Sequence, residues 1–430
     1  MTGKIKQFYL WLIFFGFVIA FGLFLYKENS TLSELESADI VLPTKRKTLK
    51  PAENQAENTE PAEKEAEVAG LRAKQPKEII DPVGQLVRHL FNIDSVPSPK
   101  AAAFTPDGKE IWATSLLNKK RGIFVFNALT GEYITDINLE DGGGVEITFS
   151  SDGKKAFISQ METAKVFEID VVSKTILRTF DTKSAWTKIL EFSADGKKIF
   201  AANWSGDDVS EIDLESGKTI RRIPTVDTPR GLYPTKDGKY LYVAGFGRGE
   251  IEKIDLSTGK GKIIYKSNGA MRHMAADSEK GILFVSDMGK NTIWKVSLDS
   301  DEVIKFADTD SNTNTIDLSS DKKILFVSCR GSNFSADNYY VPGPEWGSVL
   351  LFDTETGEIL DAIVGGNQPT ALDVSPDGKY LVFSDFLDGR LEVFQIPPYE
   401  ELKNGNGGRS GVYAEPWTPE LLTRQPEETK

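Results

Sequence analysis

The sequence predicts an all-β protein, a seven-bladed β-propeller, and three observations predict it. One turn-and-strand unit recurs seven times. The units stand about one four-stranded sheet apart, the period of a propeller blade. The outer strand that the last unit lacks is supplied upstream of the first.

The seven units read AAAFTPDGKEIWAT, EITFSSDGKKAFIS, ILEFSADGKKIFAA, GLYPTKDGKYLYVA, HMAADSEKGILFVS, TIDLSSDKKILFVS and ALDVSPDGKYLVFS. The residue at the Phe104 position recurs at Phe149, Phe192, Pro234, Ala276, Leu318 and Val374, at intervals of 45, 43, 42, 42, 42 and 56. In each unit a short strand alternates apolar and variable residues up to that position. A turn of the Ser-Pro-Asp-Gly type follows, in which Pro presets φ and Gly takes a conformation other residues resist. A second strand, a polar loop, a third strand such as VSEIDL, a turn such as DLESGK and an outer strand such as TIRRIP complete the blade.

After LEVFQI the chain meets Pro397 and Pro398, which remove two backbone donors and end pairing. The segment GQLVRHLFNIDSVPSP aligns with GKTIRRIPTVDTP of the third unit. Residues 85–93 are therefore expected to complete blade seven and close the ring, which removes the open edge. His89 then lies on an outer strand as a structural residue.

The N-terminus carries a different signal. Residues 8–26, FYLWLIFFGFVIAFGLFLY, are apolar throughout. As a helix they would span about 28 Å, close to the hydrocarbon thickness of a bilayer. No small-residue cleavage site or lipobox cysteine follows, so the run reads as an uncleaved signal anchor. Lys4 and Lys6 precede it, whereas Glu28, Glu34 and Glu36 follow. The positive-inside rule then leaves residues 1–7 in the cytoplasm and the propeller outside it, periplasmic or extracellular, on a single-pass membrane anchor. Residues 27–81, rich in Glu, Lys, Ala and Pro, are expected to be a disordered stalk. The propeller is assigned to residues 82–397 and a flexible tail to 398–430.

Composition narrows the partners. A formal net charge of −13 with no Lys/Arg cluster excludes a nucleic-acid ligand. Cys329 is alone, and with two histidines no multi-histidine metal centre can form. No CxxCH motif is present. No cofactor and no metal site are expected.

The turn-and-strand unit resembles the YVTN family of β-propeller repeats, with Pro229-Arg230-Gly231 through Tyr242-Val243-Ala244 and Pro369-Thr370-Ala371 through Ser384-Asp385 as the best matches. That resemblance implies the propeller fold over about residues 84–397, and the family includes surface-layer and other cell-surface proteins. Lactonases and quinoprotein dehydrogenases have related propellers. The Gly-His and Trp-Asp pairs of WD40 repeats are absent, as is the docking Trp of quinoprotein repeats, so a quinone is not expected.

Candidate site residues follow from aligning the units. Four residues before the Phe104 position stand Lys100, Val145, Lys188, Arg230, Arg272, Asn314 and Thr370. Four cations at one register, in an acidic chain, would make a positive mouth for a carboxylate, phosphate or sulfated glycan if they converge. The alternative is that they lean outward onto Asp141, Asp181 and Asp227. A second ring, closing each second strand, includes Asn203, Asp287 and Asp385, and His273 stands beside Arg272. The next residues, among them Trp204 and Phe246, place an apolar side chain in most of these loops. They either pack together or form a contact rim. The long interval of 56 reflects an insertion, CRGSNFSADNYYVPGPEWGS, whose Tyr339, Tyr340 and Trp346 suit recognition. Glu146, His273, Asp287 and Asp385 are the acid/base groups at hand, but nothing in the alignment pairs them. The expected function is a non-enzymatic, membrane-anchored binding or scaffold module for a protein, glycan or anionic small molecule. The alternatives are an extracytoplasmic, lactonase-like hydrolase acting on an anionic small molecule and a structural surface-layer component.

Overall fold

The computed structural model describes residues 86–94, 96–116, 122–332, 340–343 and 345–405. Two compact units are distinguished, Met1–Asn58 with Ser335–Tyr340, and Thr59–Phe334 with Val341–Lys430. The second carries the propeller; of the first, Tyr340 alone is described. The anchor at 8–26, the stalk at 27–81 and Tyr339 lie outside the described residues. Among the described residues no helix is long and apolar enough to cross a membrane.

The described residues form 28 strands in seven four-stranded antiparallel sheets. Their inner strands are β2 (Pro99–Phe104), β6 (Gly144–Phe149), β10 (Thr187–Phe192), β14 (Pro229–Pro234), β18 (Met271–Asp277), β22 (Thr313–Leu318) and β26 (Pro369–Val374). Six sheets follow chain order. The seventh runs from β26 through β27 (Tyr380–Asp385) and β28 (Arg390–Gln395) to β1 (Arg88–Asp94). The expected closure is therefore present, with Asp94 opposite Arg390 and Arg88 opposite Gln395. Leu86 and Val87 also donate their N–H groups to Asp361 Oδ2 of blade six, both at 2.8 Å.

The repeated turn works as its residue types require. Thr105 Oγ1 donates to Asp107 Oδ1 at 2.7 Å, and Gly108 stands at φ 70°. The same hydroxyl–carboxylate contact recurs at Ser150, Ser193, Thr235, Ser319 and Ser375. In blade six the glycine is absent, and Lys322 takes the left-handed conformation at φ 61°.

Between blades, the residues two before the Phe104 position (Ala102, Ile147, Leu190, Leu232, Met274, Ile316 and Leu372) are all buried. Hydroxyl groups on the second strands add polar links. Ser286 Oγ accepts from His273 N at 3.0 Å in its own blade and donates to Asn314 O at 2.7 Å in the next. Ser384 does the same for Ala371 N and Pro99 O, at 2.9 and 3.1 Å. Ser286→Ala leaves a buried N–H and carbonyl with a lost partner, at a cost of about 1–3 kcal/mol. A melting temperature lowered by a few degrees in calorimetry is the expected result.

The C-terminal boundary differs from the sequence expectation. Residues 399–404 form a short helix, α1 (Tyr399–Asn404). Leu402 is buried in the core shared by blades six and seven, and Tyr399 Oη donates to Asp353 Oδ2 at 2.7 Å. Pro397 and Pro398 end the sheet, but an apolar side chain four residues later docks on it.

Candidate functional site

One feature of the inner strands shapes the centre of the ring. Each slips register once against its second strand. In β2, Pro99 pairs with Ser115 and Ala102 with Ala113, so Lys100 and Ala101 together oppose Thr114. Strict alternation would send the Lys100 position to the buried face with Ala102 and Phe104. The bulge re-aims it. Its freed amide is met locally, since Ala101 N donates to Thr114 Oγ1 at 2.8 Å.

The bulges bring the predicted cations together. Burial, followed by Arg272, Arg230 and Arg330, holds the Lys100 ammonium well below the usual lysine range. Lys188 is lowered in the same way, by burial and then by Arg230, Lys100 and Arg272. Arg330, the residue after β23 (Ile324–Cys329), thus joins the four predicted positions as a fifth cation. Arg330, Arg230, Arg272 and Lys188 are 2, 5, 6 and 8% exposed, while Lys100 is half-buried. The outward-leaning arrangement is not what the acidic loops adopt: Asp181 pairs with Lys183 at 2.6 Å and Asp227 with Arg248 at 3.5 Å.

Acidic groups share this centre. Burial raises Glu146 to about 7 against the opposing pull of Arg230, Lys100 and Arg272. His273 is held neutral, pushed down to about 3 by burial and then by Arg230 and Arg272. Its ring is hydrogen-bonded to the Ile316 backbone, and its buried Nδ1 has no partner. One residue before the Phe104 position, about 10 Å along the strand from the cations, stand Glu191, Asp317 and Asp373. Burial raises Glu191 to about 8 and Asp317 to about 6. Asp373 accepts from Phe104 N at 2.7 Å and Asp317 from Val374 N at 3.1 Å, so these two staple adjacent blades. The cations thus share one level of the inner strands with Glu146, and the three acids stand about 10 Å further along.

The rim is more packed than exposed. Lys188 Nζ lies 3.7 Å from the Trp204 ring centroid, and the Trp204 and Phe246 rings meet at 4.7 Å between centroids, tilted by 42°. Lys100 Nζ lies 5.2 Å from the Phe386 ring. Leu116, Met161, Trp204 and Phe386 are buried. The rim therefore supports the cations as a low-dielectric collar.

Asn203, Asp287 and Asp385 are fully buried and anchor the loops that enter the inner strands. Asn203 accepts from Thr187 Oγ1 and donates to Asp208, each at 2.7 Å. Asp287 Oδ1 accepts from Ala270 N and Gly289 N, at 2.8 and 3.1 Å. Asp385 Oδ1 accepts from Gly366 N at 2.9 Å. Trp346, on the insertion between β23 and β24 (Ser348–Asp353), is half-buried beside Glu345, which accepts from Ser332 N at 3.0 Å.

Sequence alignment found four of the five cations. Arg330 sits where other blades carry apolar rim residues, so a search of the Lys100 register alone passes over it. The lower carboxylates show their own signal, three acids at one register, once the position before Phe104 is aligned.

Known proteins share parts of this chain. A family model described as a YNCE-like β-propeller matches residues 186–335, from the start of blade three into the insertion. Antigen Lp49 of Leptospira interrogans serogroup Icterohaemorrhagiae serovar copenhageni is 44% identical over 63 residues, which is 15% of this chain and 14% of the antigen's length. A hydrazine synthase chain of Kuenenia stuttgartiensis superposes with a TM-score of 0.59 at 16% identity, covering 70% of this chain and 96% of that one. At that identity the likeness concerns the fold alone. Together with the seven blades, these matches agree with the resemblance to YVTN-family propellers.

Proposed function

From a seven-bladed propeller with YNCE-like central blades as premise, we propose that this protein is a binding module. Its central mouth captures an anionic group carried by a protein, a glycan or a small molecule. A single N-terminal anchor at residues 8–26 holds it to a membrane and displays the propeller outside the cytoplasm, a reading that rests on the apolar run and its flanking charges.

The observation that carries the proposal is the crowding of Lys100, Lys188, Arg230, Arg272 and Arg330 at one mouth. Like charges desolvated together repel, and a bound anion offsets that cost. Arginine stays charged there, whereas lysine yields. The bulges make the arrangement a property of the fold rather than of one loop.

Calorimetric titration of the full chain with inorganic phosphate is expected to give binding that Arg230→Gln with Arg272→Gln weakens by about 100-fold, the worth of two charge-assisted hydrogen bonds. Equal affinity in the double variant would refute the site. Glu146, with its carboxyl at about 7 among the same arginines, supports a second reading: a hydrolase of anionic lactones with Glu146 as general base. Lactone turnover in the same preparation, lost with Glu146→Gln, would favour that reading over capture.

A further inference from the structure

Lys188 differs from an ordinary charge in an anion site. Its ammonium nitrogen lies 3.7 Å from the Trp204 ring centroid and 5.9 Å from that of Trp186. Among the described residues no carboxylate forms an ion pair with it. Its charged neighbours are Arg230, Lys100 and Arg272, all of one sign. The side chain is nearly buried, with a small part of its surface still open.

Trp186 adds a second mark. It holds a left-handed conformation at φ 58°, which bulky residues rarely adopt. The equivalent residues Ser98, Thr228, Asn312 and Gln368 share that conformation, whereas Gly143 and Ala270 of blades two and five do not. Blade three alone among these places a tryptophan there, beside the lysine, and bears the strain.

A lysine becomes a nucleophile when its amine is neutral, and two arrangements favour the neutral form: an apolar pocket and adjacent cations. Lys188 has both. The neighbouring arginines cannot lose their charge and remain able to hold an anion.

We infer that Lys188 is a nucleophilic amine that forms a Schiff base with a small carbonyl compound bearing an anionic group, which Arg230 and Arg272 hold. The amine nitrogen adds to the carbonyl carbon, and a C–N bond replaces the C–O π bond. The carbonyl oxygen then leaves as water with the two amine hydrogens, and a C=N bond remains. Amine and carbonyl give imine and water, so no oxidant or reductant is consumed. The inference rests on the anion-binding reading of the mouth.

The test treats the full chain with glyoxylate, a small anionic aldehyde, or with acetaldehyde, its uncharged counterpart. Cyanoborohydride traps the imine and peptide mass spectrometry locates it. Glyoxylate is expected to label Lys188 about tenfold or more faster than the exposed surface lysines, since each unit of lowered pKa raises the neutral fraction about tenfold. Inorganic phosphate should slow that labelling, and Lys188→Arg should abolish it. Labelling spread over surface lysines with Lys188 unmodified overturns the inference, and if phosphate still binds, the anion-binding reading stands. Equal rates with glyoxylate and acetaldehyde also overturn it, because the arginines then hold nothing.

Discussion

Deletion of residues 1–95 is expected to lower the melting temperature of the propeller by about 10 °C or more relative to a deletion ending at residue 80. The difference between the two is β1 and the residues leading into it. Val87 and Ile93 are buried, in the cores of blades six and seven and of blades seven and one. Burying side chains of this size is worth about 1.5–3 kcal/mol each. The deletion also takes away both N–H groups that Asp361 accepts, leaving a fully buried carboxylate with fewer partners. In addition, the pairing row of β28 becomes an open edge, a template for association with other chains. Thermal unfolding of both deletions, with light scattering to follow association, measures the effect. Coincident melting curves would show that the ring holds without its closing strand.

The second large effect concerns pH. Glu191 is raised to about 8 from an ordinary value of 4.5, first by burial and then by Glu146. The folded state therefore binds the proton more tightly than the unfolded state. The sign follows: stability is fully retained below about pH 4.5 and declines as pH rises through about 8. Part of the side chain still meets solvent, so the loss is about 1–3 kcal/mol. Glu191→Gln removes the titrating group and keeps the shape. At about pH 5 the variant should melt with the parent, and at about pH 9 a few degrees above it. A parallel decline in both proteins would place the pH sensitivity elsewhere.

The blade pattern was readable because each turn is local chemistry. Thr105-Pro106-Asp107-Gly108 specifies its own conformation through a hydroxyl, a carboxylate and a positive φ. The closing strand was readable too, since its alternation matches an outer strand at the one place where the chain lacks one. The docking of α1 was not, because Leu402 gives no periodic signal within a six-residue helix. Trp204 and Phe246 could equally have packed or faced a partner. Their ring contact depends on side chains from two blades, and the Lys188 contact on where the bulge in β10 places the lysine.

By itself, then, the sequence determined seven blades, their closure by β1, and four cations at one register. Those properties rest on interactions within about ten residues or on a repeat that aligns to itself. Convergence of Lys100, Lys188, Arg230 and Arg272 was decided by the tertiary structure alone. Residues 42 or more apart in sequence meet only when the ring curves back, and a bulge in each inner strand stands at their register. Strand pairing creates that bulge, and pairing partners are not encoded in any one strand.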